Sequence, residues 1–89
     1  LGHAYPNPFN PSTTIEYALP TSSDLTLAVY DIQGRLVTYL SRGFIAAGYY
    51  EKIWDASRYS SGIYFIRLQA YDIYGKNNFV STQKIVLVK

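Results

Sequence analysis

The sequence predicts an all-β domain, an antiparallel sandwich of about six or seven strands in two packed sheets. Strand-length runs that alternate apolar and polar residues recur at intervals of roughly ten residues, and Gly, Asn, Asp and Pro separate them. The chain also holds ten tyrosines against four phenylalanines and one tryptophan, and tyrosine is favoured on pleated surfaces. No stretch shows a convincing helical period.

Length and composition indicate one small globular domain, residues 1–89. Hydrophobic residues make up 48% of the chain and charged residues 16%, which is not the composition of a disordered protein. A net charge of +2 is too weak to indicate binding to nucleic acid or to an anionic membrane. Cysteine is absent, which excludes disulfides and thiolate chemistry.

No apolar run reaches the roughly 20 residues of a membrane-spanning helix. Residues 1–20 also lack a signal peptide, so we expect any export signal to lie elsewhere in a longer parent protein.

Residues 1–13 form a proline-rich segment that precedes the sandwich at residues 14–89. Its three prolines remove backbone donors and disfavour helical conformations, so it should be extended but not a central strand. We expect Tyr5 and Phe9 to pack against the domain. Residues 1–4 carry no strong signal and are expected to fray.

The first predicted strands follow a period of two. Ile15, Tyr17 and Leu19 share one face, and a hairpin is predicted over residues 25–40. Its turn, residues 31–34, contains an Asp that can bond the backbone two residues on and a Gly that supplies positive φ. The same pattern, Tyr-Asp-Ile-x-Gly followed by a basic residue, recurs at residues 71–76, which indicates a second hairpin with the same turn chemistry.

The second half of the chain predicts three further strands. Residues 41–48 read as a loop between glycines, and residues 49–55 as a strand on which either Ile53 or Trp54 could point inward. Trp54 is favoured because it has more apolar area to bury. Residues 63–70 are apolar on both faces apart from Arg67, which is typical of a central strand covered on two sides. Residues 79–88 form the last strand.

Nothing in the sequence indicates an enzyme, a cofactor or a metal site. The only histidine, His3, lies in the segment expected to fray, so no catalytic triad can be built around it. The aspartates are scattered at turns and strand ends, where they are better explained as turn residues. The tyrosines could stack on sugars, but five of the ten lie at alternating strand positions where cross-strand packing explains them. These are Tyr17, Tyr30, Tyr39, Tyr64 and Tyr71.

Several motifs resemble one known family, the C-terminal sorting domains of the type IX secretion system of Bacteroidetes-type bacteria. Residues 5–15, Tyr-Pro-Asn-Pro-Phe-Asn-Pro-Ser-Thr-Thr-Ile, resemble its opening motif, and residues 29–35 resemble its first hairpin. Residues 61–68, Ser-Gly-Ile-Tyr-Phe-Ile-Arg-Leu, and residues 84–89, Lys-Ile-Val-Leu-Val-Lys, resemble its closing half. The pair Trp54-Asp55 also falls where the family often has it. The loop at residues 72–78 is slightly longer than the common pattern.

This resemblance implies a fold and a role. The fold would be an immunoglobulin-like sandwich of about seven strands. The role would be a non-catalytic signal at the end of a larger cargo protein, exported through the periplasm, secreted or displayed at the cell surface. Its partners would be the fused N-terminal cargo, the outer-membrane type IX translocation machinery and a sortase-like peptidase that cleaves the domain off. Neither nucleic acid nor membrane insertion is expected.

A signal that is read after folding should be a rigid surface, and we hypothesise that the last strand presents it, with two residues of the preceding strand nearby. An unpaired edge there would invite strand addition by a receptor. The predicted recognition residues are Gly62, Tyr64, Lys84, Ile85, Val86, Leu87, Val88 and Lys89. The alternatives are that Gly62 is a turn residue with positive φ, that Tyr64 is a core or sheet-face aromatic, and that the two lysines are solvated charges.

Two other functions remain open at this level. One is a carbohydrate-binding or adhesion module of a secreted enzyme, which a row of coplanar exposed tyrosines would support. The other is a structural spacer, or a domain like the immunoglobulin-like domains of flagellar hook-capping proteins.

Overall fold

The computed structural model describes residues 1–75 and 78–89, and these contain strands and turns but no helix. There is accordingly no helix in the described residues long and apolar enough to cross a membrane. Six strands follow one another along the chain. They are β1 (Ser12–Leu19), β2 (Ser23–Asp31), β3 (Leu36–Ile45), β4 (Gly48–Asp55), β5 (Gly62–Asp72) and β6 (Phe79–Leu87).

The strands form two antiparallel sheets that face each other. One has two strands in the order β1-β4, and the other has four in the order β3-β2-β5-β6. The predicted all-β sandwich is therefore confirmed, with six strands. The last strand along the chain, β6, stands at one end of the four-stranded sheet.

The core lies between the sheets and follows the alternation of the sequence. Ile15, Tyr17 and Leu19 of β1 are buried as predicted, and so are the alternating leucines and valine of β2. On β4 the choice of Trp54 over Ile53 is confirmed, because Trp54 is 4% exposed and Ile53 is 65% exposed. The Trp54 ring packs against Phe9, Tyr59 and Tyr64, with ring centroids 5.3–5.6 Å apart.

Two predictions about strands were wrong. Residues 41–45 are not loop but the second half of β3, which pairs with β2 as far as Ser23↔Ile45. The pairing of β2 with β3 has register shifts on either side of residues 28–29 of β2, and these interrupt the alternation of side chains along β3. A search for a period of two therefore could not reveal the full length of β3. β5 is central in its sheet, but only one of its faces is covered. Ile66 is fully buried and Arg67 is exposed, since the two-stranded sheet covers a single face of the larger sheet.

The two similar turns use the same hydrogen bonds. In each, the Gly N–H donates to the carbonyl oxygen of the Asp three residues earlier, Gly34 to Asp31 and Gly75 to Asp72. The Asp carboxylate then accepts from the backbone two residues on, at 2.9 Å from Gln33 and 2.8 Å from Tyr74. The prediction that both turns use the same chemistry is confirmed for the described residues. The basic residue that follows Gly75 in the sequence lies outside the described residues. Backbone donation from Arg35 lowers the pKa of Asp31.

The proline-rich segment closes one side of the sandwich. Gly2 and Tyr5 bond to the backbone of β1, and Ala4 is buried, so the fraying predicted for residues 1–4 was wrong. Phe9 is buried as expected at 2% exposure, whereas Tyr5 is half exposed and does not pack inward. The side chain of Gln83 on β6 accepts from the Ala4 N–H at 2.8 Å. The segment thus joins the two sheets at β1 and β6.

Candidate recognition surface at the last strand

The predicted recognition residues come together on β6 and the start of β5. The two strands pair from Gly62↔Leu87 to Ala70↔Phe79 without a register shift. Tyr64 lies opposite Ile85, and Gly62 lies opposite Leu87. The sequence therefore identified residues that are neighbours in space.

The outer edge of β6 is covered along the part expected to be open. The Phe9 N–H donates to the Val86 carbonyl, and the Val88 N–H donates to the Phe9 carbonyl, both at 2.9 Å. The Asn7 side chain accepts from the Val86 N–H at 3.0 Å and donates to the Lys84 carbonyl at 3.1 Å. The expectation of an unpaired edge over residues 84–88 is thus wrong, because backbone and amide groups of the proline-rich segment already pair with it.

A shorter part of the same edge has no such cover. In a strand, the backbone N–H and C=O groups of every second residue point to the same side. Those of Val86 point away from β5, so those of Thr82 and Val80 point away from β5 as well. No bond from the described residues reaches the outward groups of these two residues. The uncovered edge therefore lies before Lys84, at the start of β6.

Burial divides the predicted residues into two groups. Ile85 and Leu87 belong to the core, at 0% and 1% exposure, and so cannot present their side chains to a partner. Tyr64 is also buried, and its hydroxyl donates to the Ser60 carbonyl at 2.6 Å. The exposed or half-buried side chains are those of Lys84, Val86, Val88 and Lys89.

Gly62 is explained by its backbone. Its φ of +157° is favoured only for glycine, and no heavy atom would meet an added Cβ within 4 Å. It lines a groove between the β2–β3 turn and the loop before β5, together with Arg35 and Arg58.

The end of the chain is held against the loop between β4 and β5. The Lys89 N–H donates to the Ser61 hydroxyl at 3.0 Å, and its ammonium donates to the Ser57 carbonyl at 2.7 Å. The nearby carboxyl of Asp55 has a lowered pKa, mainly because its oxygens accept hydrogen bonds from Ser57, with smaller contributions from the charges of Arg58 and Lys89. The last lysine is therefore positioned by the fold.

The sequence missed the part that Asn7 plays at this surface. Nothing in a period of two could place a proline-rich segment against β6, since its own residues form no strand. Two residues of the segment could have indicated such a contact, the apolar Phe9 and Asn7, whose side-chain amide can both donate and accept hydrogen bonds. Both lie beside prolines, which keep the segment out of a regular strand.

The described residues show no arrangement typical of a catalytic or metal centre. No three His, Asp or Glu side chains among them are close enough together to hold a metal ion. His3 is exposed, and its ring nitrogen meets the Gln83 side chain at 3.1 Å rather than an acid. The exposed tyrosines are dispersed as well. Tyr5 lies beside β1, Tyr49 lies on β4, Tyr39 and Tyr71 lie on two different strands of the four-stranded sheet, and Tyr74 lies in the turn after β5. They therefore form no single row for a sugar.

The fold and this surface define a small all-β accessory domain whose exposed end is built from its last strand. Comparison with known families makes this more specific. The chain belongs to the family of secretion system C-terminal sorting domains, whose profile matches residues 3–88. Neither a search of curated proteins nor a search of solved structures gave a match.

Membership in this family indicates a C-terminal signal for type IX secretion. Domains of this family are generally non-catalytic. The family also implies the type IX machinery as a partner, a cargo fused in front of the domain, and secretion or display at the cell surface. The carbohydrate-binding alternative is not favoured.

Proposed function

We propose that this domain carries a larger cargo protein from the periplasm through the outer-membrane type IX machinery and is then cleaved off by a sortase-like peptidase. The observation that supports this most is the family match over residues 3–88. The cargo is released or stays at the cell surface. The domain itself performs no chemistry in this sequence of events.

The machinery reads the domain in its folded state. A rigid surface binds with little ordering cost, and the last strand of this domain is rigid because β5 pairs with one edge and the proline-rich segment with the other. The residues read directly are the exposed ones, Lys84, Val88 and Lys89, together with the half-buried Val86. Tyr64, Ile85 and Leu87 act by keeping the strand in place, and Gly62 by its backbone conformation.

The proline-rich segment links the beginning of the domain to the signal strand. Asn7 and Phe9 can bond to β6 only after the sandwich has formed, because they reach across from β1. A complete recognition surface therefore reports that the domain is folded. The segment also separates the sandwich from a cleavable linker upstream, because its prolines stiffen the chain there.

Replacing the exposed recognition side chains tests this function without disturbing the core. In a fusion of a periplasmic reporter to this chain, the triple variant Lys84→Ser, Val88→Ser and Lys89→Ser should remain folded, since surface substitutions cost within about 0.5 kcal/mol each. We expect its reporter to stay in the periplasm of a host with the type IX machinery.

The matched control is the triple variant Lys52→Ser, Ile53→Ser and Arg58→Ser, which removes two cations and one exposed apolar side chain elsewhere. Its reporter should be exported as well as the unchanged fusion. Deleting residues 85–89 should also retain the reporter. Normal export of both the first triple variant and the deletion would refute the signal role of this strand.

A further inference from the structure

The face of the four-stranded sheet that points away from the core has an unusual composition. Three cross-strand rows on this face hold one residue from each of the four strands, since their neighbours Leu27, Val29, Ile66 and Leu68 point into the core. We call these twelve residues the outer face. They are Leu36, Tyr30, Phe65 and Lys84; Tyr39, Ala28, Arg67 and Thr82; and Arg42, Thr26, Gln69 and Val80. A shorter row of Phe44, Asp24 and Tyr71 continues the same sheet face beyond them.

Five of the twelve residues are apolar or aromatic side chains that are exposed or half-buried, while a sixth apolar residue, Ala28, is fully buried beneath its neighbours. An antiparallel sheet with one face in the core commonly keeps its other face polar. Here one row places Leu36, Tyr30 and Phe65 side by side, and Leu36 and Val80 are each about half exposed. A continuous row of apolar side chains on the outward face of a sheet is typical of an interaction surface.

The charged side chains of these twelve residues are all cations, and the exposed carboxylate of Asp24 follows in the next row of the same sheet face. Each row holds one cation, Arg42, Arg67 or Lys84, and none of the twelve residues is acidic. The described part of the chain contains one ion pair, between Arg35 and Asp31, so no carboxylate within 4 Å neutralises these three cations. The Arg42 guanidinium lies 4.4 Å from the Tyr39 ring centroid, and this stacking leaves its N–H groups available to an incoming carboxylate.

The opposite side of the molecule has the opposite charge. On the two-stranded sheet, Glu16 and Glu51 are direct cross-strand neighbours, and both are exposed. The Tyr5 hydroxyl donates to Glu16 at 3.0 Å, and this hydrogen bond raises the pKa of Tyr5. If a second copy of this chain were the partner, its acidic two-stranded sheet would lie against the outer face. Two strands would then cover a face four strands wide, and the contact would continue as an open stack instead of closing.

We infer that the outer face docks an acidic protein surface of the secretion machinery, in which carboxylates surround an aliphatic or aromatic centre. The inference rests on the proposed function and adds a second contact region to it, beside the last strand. The apolar row contributes buried area, while the three cations select an acidic partner and reject a basic one. Lys84 belongs to both regions and joins them.

Charge reversal on the outer face tests this docking. In the reporter fusion, the double variant R42E/R67E should reduce the extracellular reporter by about tenfold or more. Like charges that face each other across an interface weaken binding by at least about this factor. The control K52E reverses an exposed cation that lies off this face and away from the last strand, and it should be exported within about twofold of the unchanged fusion. The variant R42K/R67K keeps the charge and should retain most of the export.

Each possible outcome has a distinct meaning. If R42E/R67E keeps the Trp54 fluorescence and urea midpoint of the unchanged chain but is exported normally, the docking surface is refuted and the sorting function stands. If the unchanged fusion is itself retained, the sorting function fails. If the purified 89-residue chain forms oligomers that both R42E/R67E and E16K/E51K abolish, the occupant is a second copy, which also overturns the proposal.

Discussion

Replacing Phe9 with alanine is expected to lower the free energy of unfolding by about 3–5 kcal/mol, the usual cost of removing a buried aromatic side chain. Phe9 is 2% exposed and packs on Trp54 at a centroid distance of 5.6 Å. Its side chain also anchors the segment whose backbone bonds to Val86 and Val88. Small domains are stable by only about 5–15 kcal/mol, so the variant should lie close to unfolding.

Urea denaturation measured by the fluorescence of the single tryptophan, Trp54, provides the test. The control is Phe44→Ala, which removes the same side chain at a site that is 63% exposed. It should change the stability by no more than about 0.5 kcal/mol. A stability loss of only about 0.5 kcal/mol for Phe9→Ala, as small as that expected for Phe44→Ala, would show that the proline-rich segment is not part of the cooperative fold.

Replacing Leu87 with alanine is expected to cost about 2–5 kcal/mol and, as a consequence, to abolish export. Leu87 is 1% exposed and lies next to Phe9 on one side and Gly62 on the other. Its side chain therefore holds the last strand in the core and does not face a partner. Loss of that packing should release the strand and with it the exposed residues that carry the signal.

The neighbouring Val88 serves as the control for Leu87. Val88 is 51% exposed, so Val88→Ala should leave the free energy of unfolding unchanged to within about 0.5 kcal/mol. Measuring the urea midpoint and the exported fraction for both variants separates folding from recognition. A Leu87→Ala variant that is as stable as the unchanged chain but is not exported would mean that Leu87 is read directly, contrary to its burial.

Regular alternation made much of the fold predictable. β1 and the core face of β2 follow a strict period of two, and the structure buries the residues that this period selects. The choice between Ile53 and Trp54 followed from apolar area alone. The turns at Asp31 and Asp72 followed from side-chain chemistry that acts within four residues.

The features that escaped prediction depend on distant parts of the chain. β3 has register shifts against β2, which break its alternation, so half of it read as loop. The cover that Asn7 and Phe9 give to β6 joins positions separated by more than 70 residues and uses no regular strand.

The candidate surface was predictable in its location but not in its exposure. The motif at the end of the chain predicted a surface on the last strand, yet Ile85 and Leu87 prove to be core residues, because the alternation of β6 directs them between the sheets. The three cations of the outer face are far apart in sequence, and only the pairing of four strands aligns them.

The most direct test of the central claim is to fuse residues 1–89 behind a reporter that is otherwise confined to the periplasm, in a host with the type IX machinery. Our account predicts that most of the reporter appears outside the outer membrane, and that it remains periplasmic in the same host without the machinery. A folded fusion protein that stays in the periplasm of the competent host would contradict the account.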